Sequence, residues 1–578
     1  RMLPVCNGWA ETPDLSQAIP RIWPMCRSRR HPTFCPMPFL AFVLRICFCA
    51  RGACLALLGA LVAVGALAQP AAPAAPEVAA PARFNILEFV VSGNTVLATD
   101  DVERAVYPFM GERRSIDDVD AARAALEKVY RDRGFGTVSV NIPEQRVDSG
   151  VVALEVLEGR IARLRITGSR YFSQGYILEK VPAAAEGTVP QFAQLQAELG
   201  IVNRTADRRV TPLLRPGRTP GTTEVDLAVE DALPLHGSIE INNRASPNTS
   251  ATRLQASLRY DNLWQRDHSL SLQVQVSPEK TDEVRVFSSA YTLPMGDVGQ
   301  NALTLSFVRS NSTVAAGVGG TTVFGKGNIY GLRYNKILDL GEGRYHALVL
   351  GVDYKDLSET IETGDRTGFS TPIAYLPLSA AYQGFLEDAK GRWQFGAGLV
   401  VGLNGLVNRQ AQFADKRYRA NASFSVVKLD LGREQKLPLG LSLLGKIDAH
   451  LAGQPLISNE QFVAGGVDSV RGYLESSAVG DKGLRAALEL RSPELAPKDW
   501  RWVTGLKAHA FVEGAALETT QPLAGQKSRF RLLGAGLGLR MKSKPYASLS
   551  IDLAWPLRTL GETQRGEPRV HATGSLEF

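Results

Sequence analysis

The sequence predicts two small α+β modules followed by an all-β transmembrane barrel of about 16 antiparallel strands. Three observations lead to this fold class. An apolar run resembling an export signal lies near the start of the chain. A succession of one strand, two helices and two strands then occurs twice. Alternating apolar and polar residues continue from there to the C-terminus.

The apolar run from Cys54 to Leu67 follows two arginines and closes with an Ala-Leu-Ala sequence. This pattern is typical of a secretory signal peptide cleaved between Ala68 and Gln69. A transmembrane anchor is the alternative, but the run is short for a span of about 20 residues, and a stretch of alanine and proline follows it. We predict an upstream segment and signal peptide over 1–68, then an Ala/Pro linker over 69–83.

Composition excludes several classes of protein. All six cysteines lie at or before Cys54, so no disulfide framework or thiolate metal site is expected further on. The formal charge is +7, but residues 1–68 hold seven arginines and two acidic residues, which leaves the rest of the chain close to neutral. This distribution of charge argues against a nucleic-acid-binding protein.

Catalytic chemistry has no support in the sequence. There is no H-E-x-x-H sequence, no G-x-S-x-G turn and no P-loop, and the seven histidines are scattered singly. His450 and His509 fall in strand segments, where a structural role is the simpler reading. We expect no enzyme activity, no metal and no cofactor.

Residues 84–159 and 160–231 form the two predicted modules, each with the order β-α-α-β-β. In the first, the helix over 116–133 places one apolar stripe towards a small sheet, with Ser115 as N-cap and Gly134 as the stop. The stripe consists of Val119, Ala122, Leu126, Val129 and Tyr130. A single α/β enzyme domain is the alternative, but strands and helices do not continue to alternate.

Residues 232–578 form the predicted barrel. Its segments alternate with period two, and many are about eight to eleven residues long, as tilted membrane strands require. A soluble β-sandwich also alternates, but the number and length of the segments favour a barrel. The last strand ends on Phe578, which we interpret as a C-terminal assembly signal read by the barrel assembly machinery.

Strand counting assigns the two ends of the barrel. An even number of strands returns the C-terminus to the side of the modules, so connections after even strands face the periplasm. Short connections such as 387–390 and 542–545 fall there, whereas the long ones at 311–326, 357–371 and 452–482 follow odd strands. This asymmetry is expected of an outer-membrane barrel.

The sequence Gly465–Tyr473 looks like the VRGY loop signature of two-partner secretion transporters of the hemolysin secretion and activation family. Further similarity lies in Arg133–Phe135 leading to Pro143–Gln145, in Leu157–Gly159, and in Tyr291–Gly296 at an early hairpin. The resemblance covers about residues 84–578. Placement of the signature in the sixth outer loop, behind two small modules, makes the resemblance specific.

The resemblance implies that loop 6, about 452–482, folds into the lumen and pairs its arginine with an acidic residue of the wall. The loop residues are Val470, Arg471, Gly472 and Tyr473. The alternative is a solvated loop arginine beside a tight Gly-Tyr turn.

The wall partner follows from strand parity. The strand from 503 to 514 has one apolar face, so Lys507, His509, Phe511 and Glu513 point inward. Glu513, with Phe511 beside it, is therefore the best candidate partner of the loop arginine. The family more often has aspartate there.

The modules resemble POTRA domains, whose sheet edge accepts an extended segment of an incoming chain. Residues 191–214 border that edge in the second module, although the edge could instead pack on the barrel. The resemblance implies a location in the outer membrane, contact with its lipid and lipopolysaccharide, and no nucleotide hydrolysis. The implied partner is a large exoprotein of the hemolysin, hemagglutinin or adhesin type, threaded through a polar lumen. An outer-membrane protein insertase is the alternative, and a passive porin is less favoured.

Overall fold

The computed structural model describes residues 83–578 except 248, 297–299, 313–315, 319–320, 324, 363–367, 498 and 545. The predicted signal peptide, its cleavage site between Ala68 and Gln69, and all but the last residue of the predicted linker lie outside the described residues. The described residues divide into two compact units. One unit holds residues 83–130 together with Ser139–Leu157, and the other holds Arg131–Val138 and Glu158–Phe578.

The first module is a small sheet with two helices. Its elements are β1 (Phe84–Ile86), β2 (Glu88–Ser92), α1 (Thr99–Val106), a 3-10 turn (Tyr107–Phe109), β3 (Gly111–Arg114), α2 (Ile116–Asp132), β4 (Val138–Asn141) and β5 (Val151–Glu158). The main sheet has the order β2-β5-β4, with β2 parallel to β5, and β1 pairs separately with β3.

Helix α2 begins where the sequence predicted. The amide of Ser115 donates to Oδ2 of Asp118 at 2.8 Å, and these Ser115 contacts lower the pKa of the Asp118 carboxyl. The buried face of α2 consists of Val119, Ala122, Leu126 and Tyr130, while Val129 is only partly buried.

The second module repeats the order of the first. It comprises β6 (Arg160–Thr167), α3 (Gln174–Lys180), a 3-10 turn (Pro182–Ala184), α4 (Phe192–Val202), β7 (Arg208–Pro216) and β8 (Thr222–Asp231). The sheet order is β6-β8-β7, with β6 parallel to β8 and β7 at one edge. The predicted pair of α+β modules is therefore confirmed.

A closed antiparallel barrel follows. Its segments are β9 (Leu235–Asn242), β10 (Arg253–Leu263), β11 (His268–Val276), β12 (Arg285–Met295), β13 (Asn301–Asn311), β16 (Lys326–Gly341), β17 (Arg344–Glu362), β18 (Gly368–Tyr375), β19 (Pro377–Asp388), β20 (Gly391–Gly402), β21 (Ser425–Lys436), β22 (Ser442–Leu451), β25 (Lys482–Arg491), β26 (Val503–Glu518), β27 (Arg529–Ser543), β28 (Ala547–Pro556) and β29 (Arg569–Glu577). The outer loops add β14 (Ala316–Val318), β15 (Thr321–Val323), β23 (Phe462–Ala464), β24 (Ala478–Gly480) and helix α5 (Gln410–Lys416).

The barrel has sixteen strands, as predicted. Segments β18 and β19 both pair with β17. β18 pairs with the extracellular part of β17 (355–362) and β19 with its periplasmic part (344–352), so the two segments are one strand interrupted at Leu376. Segment β22 is then the eleventh strand, and residues 452–481 between β22 and β25 form loop 6. Pairing of β29 with β9 closes the barrel, so each of its described strands has a neighbour on both sides.

Side-chain parity follows the predicted alternation. On β26 the side chain of Val512 is 42% exposed on the outer face, whereas His509, Phe511 and Glu513 are 4–5% exposed on the inner face. The outer face meets lipid and the inner face lines the lumen.

Short turns and long loops separate to opposite ends. The turn 264–267, between the second and third strands, contacts the second module, which marks the periplasmic end. One long loop is shorter than predicted. Within 357–371, β17 continues to Glu362 and β18 starts at Gly368, because these two strands keep pairing beyond their neighbours.

Candidate functional site: loop 6 in the barrel lumen

Loop 6 carries the sequence Val470–Tyr473 into the barrel. Strands β23 and β24 pair with each other and form the stem of the loop. Val470 and Tyr473 are fully buried and Arg471 is 4% exposed. The four residues lie against the inner wall formed by β25, β26, β27 and β28.

The structure places Arg471 on the wall residue selected from the sequence. The amide of Arg471 donates to Oε2 of Glu513 at 2.8 Å, and its Nε donates to Oε1 of the same carboxylate at 2.9 Å. The guanidinium carbon lies 3.4 Å from the ring centroid of Phe511, within reach of a cation-π interaction.

Two further carboxylates complete the site. The Nη2 atom of Arg471 donates to Oε2 of Glu489 at 2.8 Å, and Nη1 lies 3.4 Å from Oδ1 of Asp552. The sequence predictions included neither residue, although the parity argument that selected Glu513 applies to both. The neighbours of Glu489 on β25 and of Asp552 on β28 are leucines and an isoleucine exposed on the outer face.

The surrounding wall supplies the remaining charges. Arg540 and Arg491 donate to Oε1 of Glu489 at 2.7 and 2.8 Å, and Nε2 of His509 lies 2.5 Å from Oδ1 of Asp552. Burial opposes the charged form of Arg471, but the neighbouring carboxylates outweigh it and raise its pKa. Each of these buried charges therefore has an opposite partner, which burial of ions requires.

Gly472 and Tyr473 are fixed for different reasons. Gly472 has φ +96°, and a Cβ on it would lie 2.9 Å from the amide nitrogen of Pro556. The tight approach therefore favours glycine. The hydroxyl of Tyr473 lies 2.7 Å from the carbonyl oxygen of Arg558 and 3.1 Å from that of Leu533.

Gly534 on β27 makes room for the loop, and Gly536 and Gly538 make room for the wall side chains beside it. Gly534, Gly536 and Gly538 lie on the inner face, and a Cβ on Gly534 would approach the carbonyl oxygen of Arg471 to 2.1 Å. Glycine at every second residue of a strand indicates a close backbone approach. This spacing is the signal in the sequence from which the loop-binding wall could have been found.

Loop 6 also contacts the connection between β9 and β10. The guanidinium of Arg244 pairs with Asp468, and the amide of Glu475 donates to the carbonyl oxygen of Ala245 at 3.0 Å. Oε1 of Glu475 accepts a hydrogen bond of 3.0 Å from the amide of Val467. Burial raises the pKa of the Glu475 carboxyl to about 7, since the attraction of Arg244 only partly offsets it.

This raised pKa predicts that docking of loop 6 depends on pH. A free glutamate has a pKa of about 4.3, so docking of loop 6 favours the protonated form of Glu475. This stabilisation of the docked loop is fully present below about pH 4.3 and is lost as the pH rises through about 7. Charged groups facing Glu475 are Arg244, Arg253 and Asp468. We expect hydrogen exchange of amides 467–475, corrected for intrinsic rates, to accelerate between about pH 5 and about pH 8.

The Glu475→Gln variant should show no such dependence, because glutamine stays neutral. Glu562→Gln, on an exposed residue of another outer loop, serves as the matched control and should keep it. Equal pH dependence in all three proteins would contradict the assignment to Glu475.

Phe578 closes the seam between the last and first strands. Its amide donates to the carbonyl oxygen of Gly237 at 2.9 Å, and the amide of Gly237 donates to the carbonyl oxygen of Phe578 at 3.0 Å. The residue is 62% exposed. Its role as an assembly signal stays a prediction.

The second module meets the barrel rim at the turn 264–267. The Tyr176 hydroxyl bonds to Asp267, and the Gln265 side chain bonds to the amide of Ser173 at 2.9 Å and the carbonyl oxygen of Tyr171 at 3.0 Å. Gln265 and Asp267 have φ of 54° and 56°, a backbone conformation that is costly for such residues unless the surroundings hold it.

A histidine and two carboxylates meet where the second module contacts the barrel. The histidines are scattered singly in the sequence, so the sequence did not indicate this cluster. Nε2 of His236 lies 3.0 Å from Oδ2 of Asp207 and 3.8 Å from Oδ2 of Asp261. Arg259 already donates to this Asp261 oxygen at 2.8 Å. The contacts of His236 with Asp207 and Asp261 therefore join the second module to the first two barrel strands.

Comparison with known proteins gives matches over most of the chain. The family model "Haemolysin secretion/activation protein ShlB/FhaC/HecB" matches residues 221–541, and the model "POTRA domain, ShlB-type" matches residues 84–159. The outer membrane transporter CdiB of Dickeya dadantii strain 3937 is 21% identical over 490 residues, which is 82% of this chain and 83% of that protein.

Solved structures agree in fold. CdiB from Escherichia coli superposes with a TM-score of 0.57 at 20% identity, covering 88% of this chain and 93% of the other. BamA from Haemophilus ducreyi lacking POTRA domains 1–3 gives a TM-score of 0.52 at 15% identity, covering 86% of this chain and 100% of the other. In the described part of the chain, no helix has both the length and the apolar character needed to cross a membrane.

Proposed function

Because the chain belongs to the haemolysin secretion/activation protein family, we propose that it recognises one large exoprotein in the periplasm and exports it across the outer membrane. Members of this family are outer-membrane transporters. The chain is therefore a two-partner secretion transporter, with its barrel in the outer membrane and its POTRA modules in the periplasm.

The docked loop 6 is the observation that carries the proposal. A passive pore needs no loop bound in its lumen through a buried arginine with three carboxylates around it. Such a loop can move only when Arg471 leaves these partners together, which gives the lumen two discrete states. Two states suit a channel that opens for one substrate.

Edge strand β7 supports capture of the exoprotein by the second module. Its start lies near the barrel, since Nη1 of Arg208 is 3.6 Å from Oδ1 of Asp267. Further along, Leu213 is 47% exposed. On this proposal the two alternatives for this edge, packing on the barrel and accepting a chain, concern different parts of β7. We propose that an extended exoprotein segment pairs with the part around Leu213.

Leu213→Asp is expected to lower export by roughly tenfold, because a carboxylate among apolar contacts removes about 1.4 kcal/mol or more of binding energy. Secreted exoprotein and folded barrel are measured in the same cells. Leu178→Asp, on α3 of the same module and 45% exposed, is the matched control and should export normally. Equal export by the two variants would reject β7 as the capture site.

We further propose that export uses no nucleotide hydrolysis and that folding of the β-rich exoprotein at the cell surface helps to drive movement. The outer membrane faces no nucleotide pool, and the sequence has no P-loop. Lipopolysaccharide would contact the outer face of the barrel, and the barrel assembly machinery would act during biogenesis.

The test of the proposed function compares secreted, surface and outer-membrane proteomes with and without this gene. Loss of one large exoprotein, with other barrels at normal levels, is the expected result. Broad depletion of barrel proteins would instead favour an insertase, the second candidate, which the fold similarity to BamA brings into consideration. Complementation with the intact gene controls for effects on neighbouring genes.

A further inference from the structure

The extracellular end of the lumen contains an apolar layer where a polar wall was expected. Inward side chains of five consecutive strands, from the fourth to the eighth, contribute to it, together with residues of loop 5 (403–424) and the base of loop 6. The wall residues are Val286, Val308, Ile329, Leu357, Ile373 and Tyr375, each 0–9% exposed. Lumen walls that conduct water are normally polar, so this layer needs a covering element.

Loop 5 is that covering element. Phe413 on helix α5 is 1% exposed, and its ring centroid lies 5.6 Å from that of Tyr375 and 6.0 Å from that of Phe424. Ala420 and Ala422 are also buried in the cluster. Burial of these apolar side chains together stabilises the closed position of loop 5.

The barrel wall is built to receive loop 5. At the interruption between β18 and β19, the amide of Leu376 donates to Oδ1 of Asn408 at 2.7 Å, and the amide of Ala374 donates to Oε1 of Gln412 at 3.3 Å. Nδ2 of Asn408 donates to the carbonyl oxygen of Ala422 at 2.9 Å. Loop side chains thus satisfy wall amides in place of a neighbouring strand.

Arg417, just after α5, links loop 5 to loop 6. Its guanidinium pairs with Asp481, with Nη2 to Oδ2 at 2.8 Å, and it also bonds the carbonyl oxygen of Leu456. Asp481 is fully buried and further accepts the amides of Leu456 at 2.9 Å and Thr520 at 2.6 Å. One carboxylate therefore joins loop 5, loop 6 and loop 7, the connection 519–528 between β26 and β27.

Loop 6 is held beside this layer on the same side of the barrel. Glu460, 8% exposed, accepts hydrogen bonds from Nζ of Lys355 at 2.6 Å and from the hydroxyl of Tyr375 at 2.7 Å. Tyr375 therefore contacts the bound loop 6 through its hydroxyl and Phe413 of loop 5 through its ring.

We propose that loop 5 is a second closure of the export channel, coupled to loop 6 by the Arg417–Asp481 pair. Phe413 seals the apolar layer, and Arg417 is a positioning residue that keeps loop 5 closed while loop 6 is docked. Displacement of loop 6 withdraws the carbonyl oxygen of Leu456 from Arg417 and its amide from Asp481, which weakens the ion pair, so the two loops open together. The purpose of this closure rests on the proposed export function, but its existence as a seal does not.

The experiment uses the purified full chain in planar lipid bilayers without any exoprotein, so its outcome does not depend on the export function. Arg417→Ala and Phe413→Ser are each expected to raise the open-channel probability by about tenfold or more. Arg419→Ala, two residues along the same loop and exposed, is the matched control and should behave as the unaltered protein.

A second readout reports the position of loop 5. No cysteine follows Cys54 in the sequence, so once the six cysteines up to Cys54 are replaced by serine, a cysteine replacing the fully buried Ala422 is the single thiol available to a maleimide. We expect slow labelling in the Ala422→Cys protein and labelling about tenfold faster when Arg417→Ala is added. Adding Arg419→Ala should leave labelling slow.

Faster labelling together with higher conductance supports the proposal. Faster labelling with unchanged conductance would overturn it, since loop 5 would then open without opening the channel. Unchanged conductance in both Arg417→Ala and Phe413→Ser would also overturn it. If Arg417→Ala fails to assemble, Phe413→Ser alone decides, because it leaves the ion pair in place.

Discussion

Replacing Arg471 with alanine is expected to lower export of the partner exoprotein by at least about tenfold while the barrel still assembles. Removing one partner of a buried ion cluster costs about 3–5 kcal/mol, since Glu513 and its neighbours then lie buried without their counter-charge. Loop 6 should leave its docked position. Secreted exoprotein, identified by the gene-deletion comparison, is measured against the heat-modifiable folded barrel in the outer membrane.

Glu513→Ala should resemble Arg471→Ala, because it removes the carboxylate that holds both the amide and the side chain of the arginine. Arg471→Lys should be intermediate, since an ammonium cannot contact Glu513, Glu489 and Asp552 in one planar arrangement. Arg529→Ala, with a side chain 73% exposed, is the control and should export normally. Normal secretion by both alanine variants at normal surface levels would refute the role of the pair.

Deleting Phe578 is expected to reduce folded barrel in the outer membrane by at least about threefold. The seam between β29 and β9 has five paired positions, whereas β28 and β29 share eight. The deletion removes the two backbone hydrogen bonds to Gly237, each worth about 0.5–1.5 kcal/mol, from a seam that is already short. The measurement is the heat-modifiable fraction in outer membranes, compared with the intact chain.

Two substitutions separate the backbone from the ring. Phe578→Ala keeps both hydrogen bonds to Gly237 and loses the aromatic group, while Phe578→Tyr keeps both features. Assembly close to normal in Phe578→Ala would assign the effect to the seam, and a loss equal to that of the deletion would assign it to recognition of the ring. Normal assembly of the deletion protein would contradict both explanations.

Much of the architecture was predictable because it depends on local periodicity. A strand must alternate if one face meets lipid and the other the lumen, so the order and number of strands are visible in the sequence. The same parity directed Glu513 inward and would have selected Glu489 and Asp552. The stripe Val119, Ala122, Leu126 and Tyr130 likewise located the core face of α2.

Other features depend on which distant segments meet. Neither periodicity nor composition reveals that Asp481 joins three outer loops or that Asn408 accepts a hydrogen bond at the interruption of the eighth strand. Each of these contacts joins residues 25 to 64 positions apart in the sequence. The lumen wall illustrates the difference. Its inward residues were identifiable from parity, but an apolar layer at the outer end is stable only because loop 5 covers it.

Local sequence therefore specifies strands, helices, faces and the approximate loop lengths, since these follow from backbone geometry and from lipid or water on each side. The positions of the loops in the lumen depend on contacts between residues far apart in the sequence, which pair the buried charges and cover the apolar side chains. Arg471 could have been a solvated arginine by its neighbours alone. Its burial became favourable when barrel closure brought Glu513, Glu489 and Asp552 around one point.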